Sequence, residues 1–435
     1  MPDIVIIGYL GILAMLTLAF LGVPLAYSMS FIGTMGLAYA TGFDSAGMQN
    51  VLLAWEQGSS FSLMTIPLFI FMGTIAYYAR IVADLFDCVR KWVGHVPGGL
   101  AVAGVLASAA FGAVTGSTAA SAATMGSTVF PELKRYGYNL EMGAGSLAAS
   151  AGLAAIIPPS VFIIIFCVLT DQSIGKLFIA TIGPGLLVTV LFSIYILIRC
   201  SITPEMGPPA KEKVSLEEKL KSLTSCLPVI FVFGIVIGGL YTGIVTPTEA
   251  SAIGVVGVLL IAACMRRLTI KCIYDSFTEG AKLSTTIFML ILGGWLMSRF
   301  LVTTGTTRHM VEFFVGMHMG YYTLIAVLFI LFMVLGCALE ATSILILTMP
   351  FLFPITQAYG LNPEWFGVFV TMMMVMAGIT PPVGLNVFVV HGVCPDVSIN
   401  GIFRGSLPFC AMIFLAIVAM VVFPELVLWL PNQMN

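Results

Sequence analysis

Apolar runs separated by short polar or Gly/Pro-rich punctuation fill the chain. They predict helices over 4–21, 23–41, 62–79, 140–170, 177–199, 226–243, 247–265, 283–302, 363–393 and 401–423. Two more apolar stretches, 97–130 and 320–353, do not read as simple spans. Thr115-Gly116-Ser117-Thr118 interrupts the first and Glu340-Ala341-Thr342-Ser343 the second, and each stretch is expected to end at Phe-Pro and a polar turn. A helix interrupted in hydrocarbon must turn back or be buried in protein, so each stretch is expected to be a re-entrant helical hairpin.

These coincidences recur at one ungapped offset of 223 residues. Phe130-Pro131 falls on Phe353-Pro354, Tyr136-Gly137 on Tyr359-Gly360, Asn139 on Asn362, Pro158-Pro159 on Pro381-Pro382, and Pro24 on Pro247. A clustered FPxxxxYGxN followed by Pro-Pro is hard to obtain by chance even in an apolar chain, and it points to an internal repeat. The expected fold is an all-α polytopic membrane protein built from two repeats, each with five crossings and one hairpin. Five is odd, so the second copy is inverted, an arrangement in which ligands sit where helices break near the midplane.

The expected organisation is a first repeat over 1–200, a linker over 201–225, a second repeat over 226–423 and a tail over 424–435. The first repeat holds scaffold helices within 4–79, a connector at 80–96, the hairpin at 97–130, a broken helix at 140–170 and a last helix at 177–199. The second holds scaffold helices within 226–302, a connector at 303–319, the hairpin at 320–353, a broken helix at 363–393 and a last helix at 401–423. Ser215-Leu216-Glu217-Glu218 in the linker is a capping-box pattern that could open a short amphipathic helix; a plain solvated linker is the other reading.

Composition agrees with the pattern. Of 435 residues 59% are hydrophobic and 9% charged, against about 25% charged in soluble domains. A net charge of −2 leaves no basic face for nucleic acid. Charge placement is more informative than its total. On the side opposite the N-terminus the fold gathers 15 of the 18 basic residues, among them Arg80, Lys134, Lys211, Lys213, Arg267 and Arg404; Lys176, Arg299 and Arg308 fall on the other. Basic residues stay on the cytoplasmic side, so both termini are expected to be periplasmic and the linker cytoplasmic. Met1 to Phe20 has no Lys or Arg, and thus no charged region of a signal peptide. The nine cysteines have no CxxC spacing and read as small buried hydrophobes.

The hairpin tips and Pro-Pro breaks are the candidate site. Exposed carbonyl and hydroxyl oxygens there suit Na⁺, and half-helix N-termini suit carboxylates. The first tip offers Thr115, Gly116, Ser117 and Thr118 opposite the Ala154–Ser160 break; the second, Gly336 to Ser343, faces Ala377-Gly378-Ile379-Thr380-Pro381-Pro382. A small-residue packing face between helices is the structural alternative for 112–123. Asn386, after the second break, offers both donor and acceptor. Glu249 reads as a helix cap after Thr246, whereas Glu340 either stabilises the tip or an ion, or faces solvent at the mouth. The four histidines have no metal-ligand spacing, and Walker A is absent. A membrane-embedded enzyme would need a convergent acid/base or metal set, and none can be drawn.

At these residues the chain resembles the large membrane subunit of the tripartite ATP-independent periplasmic (TRAP) transporters, the dicarboxylate-type M subunit. The likeness rests on the Gly/Ser/Thr-rich tip at 112–121, Ile156-Ile157-Pro158-Pro159-Ser160, Gly243-Ile244-Val245-Thr246-Pro247-Thr248-Glu249-Ala250 and Ile379-Thr380-Pro381-Pro382-Val383-Gly384-Leu385-Asn386. It implies a Na⁺-driven importer in the bacterial inner membrane, with no cofactor beyond the coupling ion and no transition metal. It also implies that a periplasmic binding protein delivers an organic acid and that a separate four-helix membrane subunit assists. Its mechanism would be an elevator, in which hairpins and broken helices move against a scaffold. The resemblance places one Na⁺ among Thr115, Gly116, Ser117, Ala154 and Ile157 and a second among Gly336, Ala377, Gly378, Thr380 and Val383. Substrate would meet Ser117, Thr118, Ser160, Thr342, Ser343 and Asn386. The chain departs from the family's usual Asp at Glu340 and usual Gly at Ala377. A stand-alone divalent-anion/Na⁺ symporter shares the hairpins and repeats and is the alternative.

Overall fold

The computed structural model describes residues 3–210, 214–337 and 339–434; Lys211 and Lys213, used above for topology, lie outside the described residues. The described residues are helical, without strands. The first half runs α1 (Asp3–Phe20), α2 (Leu25–Thr41), α3 (Phe43–Gly58), α4 (Thr65–Tyr78), α5 (Ile81–Val93), α6 (Gly99–Thr115), α7 (Thr118–Arg135), α8 (Leu140–Ala151), α9 (Leu153–Ile156), α10 (Val161–Thr170) and α11 (Ile174–Ile202). The second runs α12 (Leu216–Tyr241), α13 (Pro247–Cys264), α14 (Ile270–Thr303), α15 (Thr306–Gly316), α16 (Tyr321–Gly336), α17 (Ala341–Ala358), α18 (Pro363–Ala377), α19 (Leu385–Val393) and α20 (Ile399–Val422).

Among the described residues six helices are long and apolar enough to cross a membrane, and the pair Leu140–Ile156 and Val161–Thr170, bent by 41°, makes a seventh if it is one span. Further apolar helices such as Ile4–Phe20 and Pro363–Ala377 are 10–17 residues long, below the roughly 20 residues of a straight span. The sequence reading of ten crossings needs these shorter segments as well.

Helix ends correspond at the offset of 223. Thr118–Arg135 matches Ala341–Ala358, and Asn139 and Asn362 cap α8 and α18 alike, each side chain accepting at 2.9 Å from the backbone N–H three residues on. The Pro158–Pro159 and Pro381–Pro382 peptide bonds at the two breaks are both cis. The packing is exchanged too: α2 lies along α14 as α13 lies along α4, α8 along α20 as α18 along α11, and α10 against α17 as α19 against α7. Glycines permit the closest of these approaches. A Cβ on Gly33 would lie 2.7 Å from the Leu296 carbonyl carbon and one on Gly293 2.7 Å from the Ala26 oxygen, so α2 and α14 meet backbone to backbone.

Several boundaries differ from the expectation. Pro131 and Pro354 lie inside α7 and α17 rather than ending them, because a proline removes one helical N–H yet the following turn still closes. The linker is shorter than 201–225. Ser215 caps α12 through a complete capping box, with Glu218 accepting from the Ser215 N–H at 2.9 Å, and the helix continues into the apolar run. The Ser215 backbone and hydroxyl donors hold the Glu218 carboxyl below its ordinary value. Helix α14 starts at Ile270, not 283: its buried side is Cys272, Ser276, Gly280 and Ser284, small or polar residues at four-residue steps that do not read as an apolar run. The connector at 80–96 is largely helix α5 and that at 303–319 contains α15. Helix α3 lies in a stretch for which no helix was expected. The first half thus breaks at Ser59–Ser60 where α14 continues unbroken.

Among the described residues two ion pairs join the halves. Arg267 grips Asp84 at 2.5 and 3.1 Å and also donates to the Arg80 carbonyl at the end of α4; Lys134 meets Asp396 at 2.7 Å. The Asp84 hydrogen bonds hold the Arg267 guanidinium above its ordinary value.

Candidate functional site

The first tip is built by a glycine and a serine. Gly116 ends α6 in the left-handed region at φ 58°, its N–H donating to Gly112 O, and the chain then extends through Ser117, whose hydroxyl oxygen caps α7 by accepting from Ala120 N–H at 3.3 Å. A Cβ on Gly116 would lie 2.7 Å from Pro159 O, and one on Gly112 2.7 Å from Ala154 Cα. The tip is therefore seated directly on the first break. Residues 112–116 serve both as a close-packing face and as part of the tip. Thr115 is buried and donates to Phe111 O; Ile157 lies in the break after α9. Ser160 is buried and its hydroxyl donates to Ala155 O at 2.5 Å, tying the break to itself.

The second tip has the same plan with different chemistry. A Cβ on Gly336 would meet Ala377 Cβ at 2.8 Å, and the Cys337 thiol donates to Pro381 O at 3.3 Å, so this tip sits on the second break. Glu340 caps α17. One carboxylate oxygen accepts from the Thr342 N–H at 3.0 Å and its hydroxyl at 2.8 Å, the other from the Ser343 N–H at 3.2 Å and its hydroxyl at 3.4 Å. Both oxygens of the carboxyl are thus taken up by the start of α17. Thr380 donates to Met376 O at 2.7 Å. Asn386 is buried, its side-chain amide donating to Ala148 O at 3.3 Å while Oδ1 has no hydrogen-bond partner among the described residues. Glu249 is a cap, as expected: it accepts from Thr246 N–H at 2.8 Å in a second capping box.

The tips converge on one cavity of about 280 Å³, lined by Thr115 to Ala120 of the first, Glu340 and Thr342 of the second, Val161 and Leu385 after the breaks, and a wall from α4 and α14. A small recess beside it holds Ala377, Gly378, Val383 and Asn386 and shares Thr118 and Glu340 with it. Of the six residues expected to meet substrate, Ser117, Thr118 and Thr342 line the cavity and Asn386 the recess. Ser160 and Ser343 are turned to the hydrogen bonds just described.

Sequence reasoning missed the wall. Glu279 on α14 lines the cavity and accepts from the Tyr78 hydroxyl at 2.7 Å; Thr74 and Tyr77 stand beside it on α4. A lone glutamate ahead of the long apolar run of α14 was the available signal. Tyr77 also lines a larger open space of about 830 Å³ bordered by the basic residues Arg80, Arg267 and Lys271. No group of three or more His, Cys, Asp or Glu among the described residues could hold a metal ion.

A family model described as "Tripartite ATP-independent periplasmic transporter, DctM component" matches residues 12–426. The chain is 30% identical over 382 residues to the C4-dicarboxylate TRAP transporter large permease protein DctM of Pseudomonas aeruginosa, covering 88% of each chain. It is 28% identical to the sialic acid TRAP transporter large permease protein SiaM of Vibrio cholerae, covering 98% of this chain and 97% of that one. It is 30% identical to the ectoine/5-hydroxyectoine TRAP transporter large permease protein UehC of Ruegeria pomeroyi, covering 96% and 97%. In fold it matches the crystal structure of the Alcanivorax borkumensis YdaH transporter, with a TM-score of 0.64 at 13% identity over 88% of this chain and 89% of that one.

Proposed function

The chain belongs to the DctM-component family of tripartite ATP-independent periplasmic transporters, and from that premise we propose that it is the Na⁺-coupled carrier that moves a carboxylate-bearing solute between its two hairpin tips. The family is a transporter component rather than an enzyme family, and the apolar helices make the chain a multi-pass membrane protein. A periplasmic binding protein delivers the solute, and a small separate membrane subunit completes the assembly in the inner membrane. Both termini are periplasmic, the 201–225 segment is cytoplasmic, and the two halves are inverted repeats.

The observation that carries this reading is the pairing of each tip with a break, Gly116 on Pro159 and Gly336 on Ala377, around a shared cavity. Interrupted helices leave carbonyl oxygens without helical partners. Na⁺ binds such oxygens from Thr115, Gly116, Ser117, Ala154 and Ile157 at one contact and from Gly336, Ala377, Gly378, Thr380 and Val383 at the other. Each ion neutralises charge where a tip meets its break, so the tip-bearing unit moves as one body past α4 and α14, in an elevator step, when fully loaded or empty and not when partly loaded. The space bordered by Arg80, Arg267 and Lys271 is the way out to the cytoplasm.

Reconstituted uptake tests the proposal. It should require an inward Na⁺ gradient and the cognate binding protein, and replacing Thr380 or Ser117 should shift the Na⁺ dependence more than expression. Uptake that ignores Na⁺ would remove the coupling, and robust uptake without the binding protein would support the stand-alone symporter.

A further inference from the structure

The charge balance of the tip cavity restricts what it carries. Among its described lining residues are two carboxyl groups, Glu279 and Glu340, and no Lys, Arg or His. Glu340 is committed as a cap by donors on both oxygens. That capping also decides which tip can receive an anion. At the second tip the Thr342 and Ser343 N–H groups, the ones a carboxylate would seek, already serve Glu340. At the first the cap is neutral Ser117, which takes only the Ala120 N–H, so the Thr118 and Ala119 N–H groups ahead of it have no helical acceptor and border the cavity. The buried Asn386 beside the cavity adds an unpartnered oxygen, an acceptor that calls for a donor or a cation.

We propose that the transported solute is a zwitterion: its carboxylate lies at the Ser117–Ala119 end of α7 and a protonated nitrogen lies on the Glu279, Glu340 and Asn386 side. This rests on reading the cavity as the substrate site. A sodium ion at each tip–break contact would offset Glu279 and Glu340 and leave the site near neutrality. A solute of zero net charge fits that balance. A dianion would need two further positive charges, and no lining side chain supplies them. Glu279 stands on α14 and Glu340 on a tip, so the protonated nitrogen touches both the wall and the tip in this arrangement.

Binding to the purified full chain with its membrane partner tests this by thermal shift and calorimetry in Na⁺. One probe panel contains zwitterions with a protonated nitrogen: ectoine and α- and β-amino acids. The other contains the anions succinate and N-acetylneuraminate. At least one zwitterion should bind with Na⁺ dependence and more tightly than both anions. Glu279→Gln should weaken it at least about tenfold, a change of about 1.4 kcal/mol, and improve anion binding. Glu279→Asp should restore part of the affinity, and an unchanged melting temperature without ligand shows that the variants fold. Na⁺-dependent binding of succinate ahead of every zwitterion overturns the charge inference and leaves the transport reading standing. Zwitterion binding that is indifferent to Glu279→Gln overturns the assigned contact, and with it the proposal. If no probe binds under any Na⁺ concentration, both readings fail.

Discussion

The two hairpin tips are one device built with two chemistries. Each packs a glycine onto a Pro-Pro break, and each starts its second helix with a side-chain cap. At the first tip the cap is Ser117, a neutral hydroxyl that leaves helical N–H groups facing the cavity. At the equivalent position, 223 residues on, the cap is Glu340, whose carboxylate uses those donors itself. Two matching tips thus keep one backbone plan and differ in their donors: one leaves helix N–H groups free at the cavity, and the other spends them on its own carboxyl.

The comparison breaks most severely at Gly116. Its left-handed φ and the nearness of Pro159 O leave no room for a Cβ, while the matching position, Leu339, carries a large side chain. Gly116→Ala should abolish uptake and cost more than about 2 kcal/mol, combining backbone strain with a clash against main chain; Leu339→Ala should keep measurable uptake. Denaturation in detergent and uptake assays check both. Next come the caps. Glu340→Ala leaves two helix N–H groups without partners and should cost about 1–2 kcal/mol, whereas Ser117→Ala should cost about 0.5–1 kcal/mol. Equal effects at the two tips would erase the distinction. Smaller still is the Arg267–Asp84 pair between halves, partly exposed and without a counterpart, since the residue matching Arg267 is the exposed Asp44. Arg267→Gln should lower stability by about 1 kcal/mol or less, and Asp44→Asn should have no measurable effect, read from melting temperatures.

The tips, the breaks and the caps at Thr246 and Ser215 were legible because their chemistry is local: a Pro-Pro pair, a Gly before a Ser, a Glu three residues after a Thr or Ser. Glu279 and α3 were not. The buried side of α14 near Glu279 is Cys272, Ser276 and Gly280, so the periodicity that marks a buried helix is carried by size rather than by hydrophobicity. In α3 the reverse holds. Met48, Val51, Leu52 and Trp55 form an apolar stripe at helical spacing, but the stripe is exposed and polar residues interrupt the run in sequence. Both failures arise where one half departs from the other, around the unbroken α14 and its broken counterpart.

Spin-label distances test the central claim, that the tips and breaks move as one body against α4 and α14. In a cysteine-depleted chain, labels at Arg135 and Tyr322 report across the two hairpins, and labels at Lys282 and Arg135 report from α14 to the first hairpin. The account predicts that the Arg135–Tyr322 distribution stays fixed when Na⁺ and solute are added or removed, while the Lys282–Arg135 distribution shifts between two populations. A fixed Lys282–Arg135 distance with a changing Arg135–Tyr322 distance would contradict it.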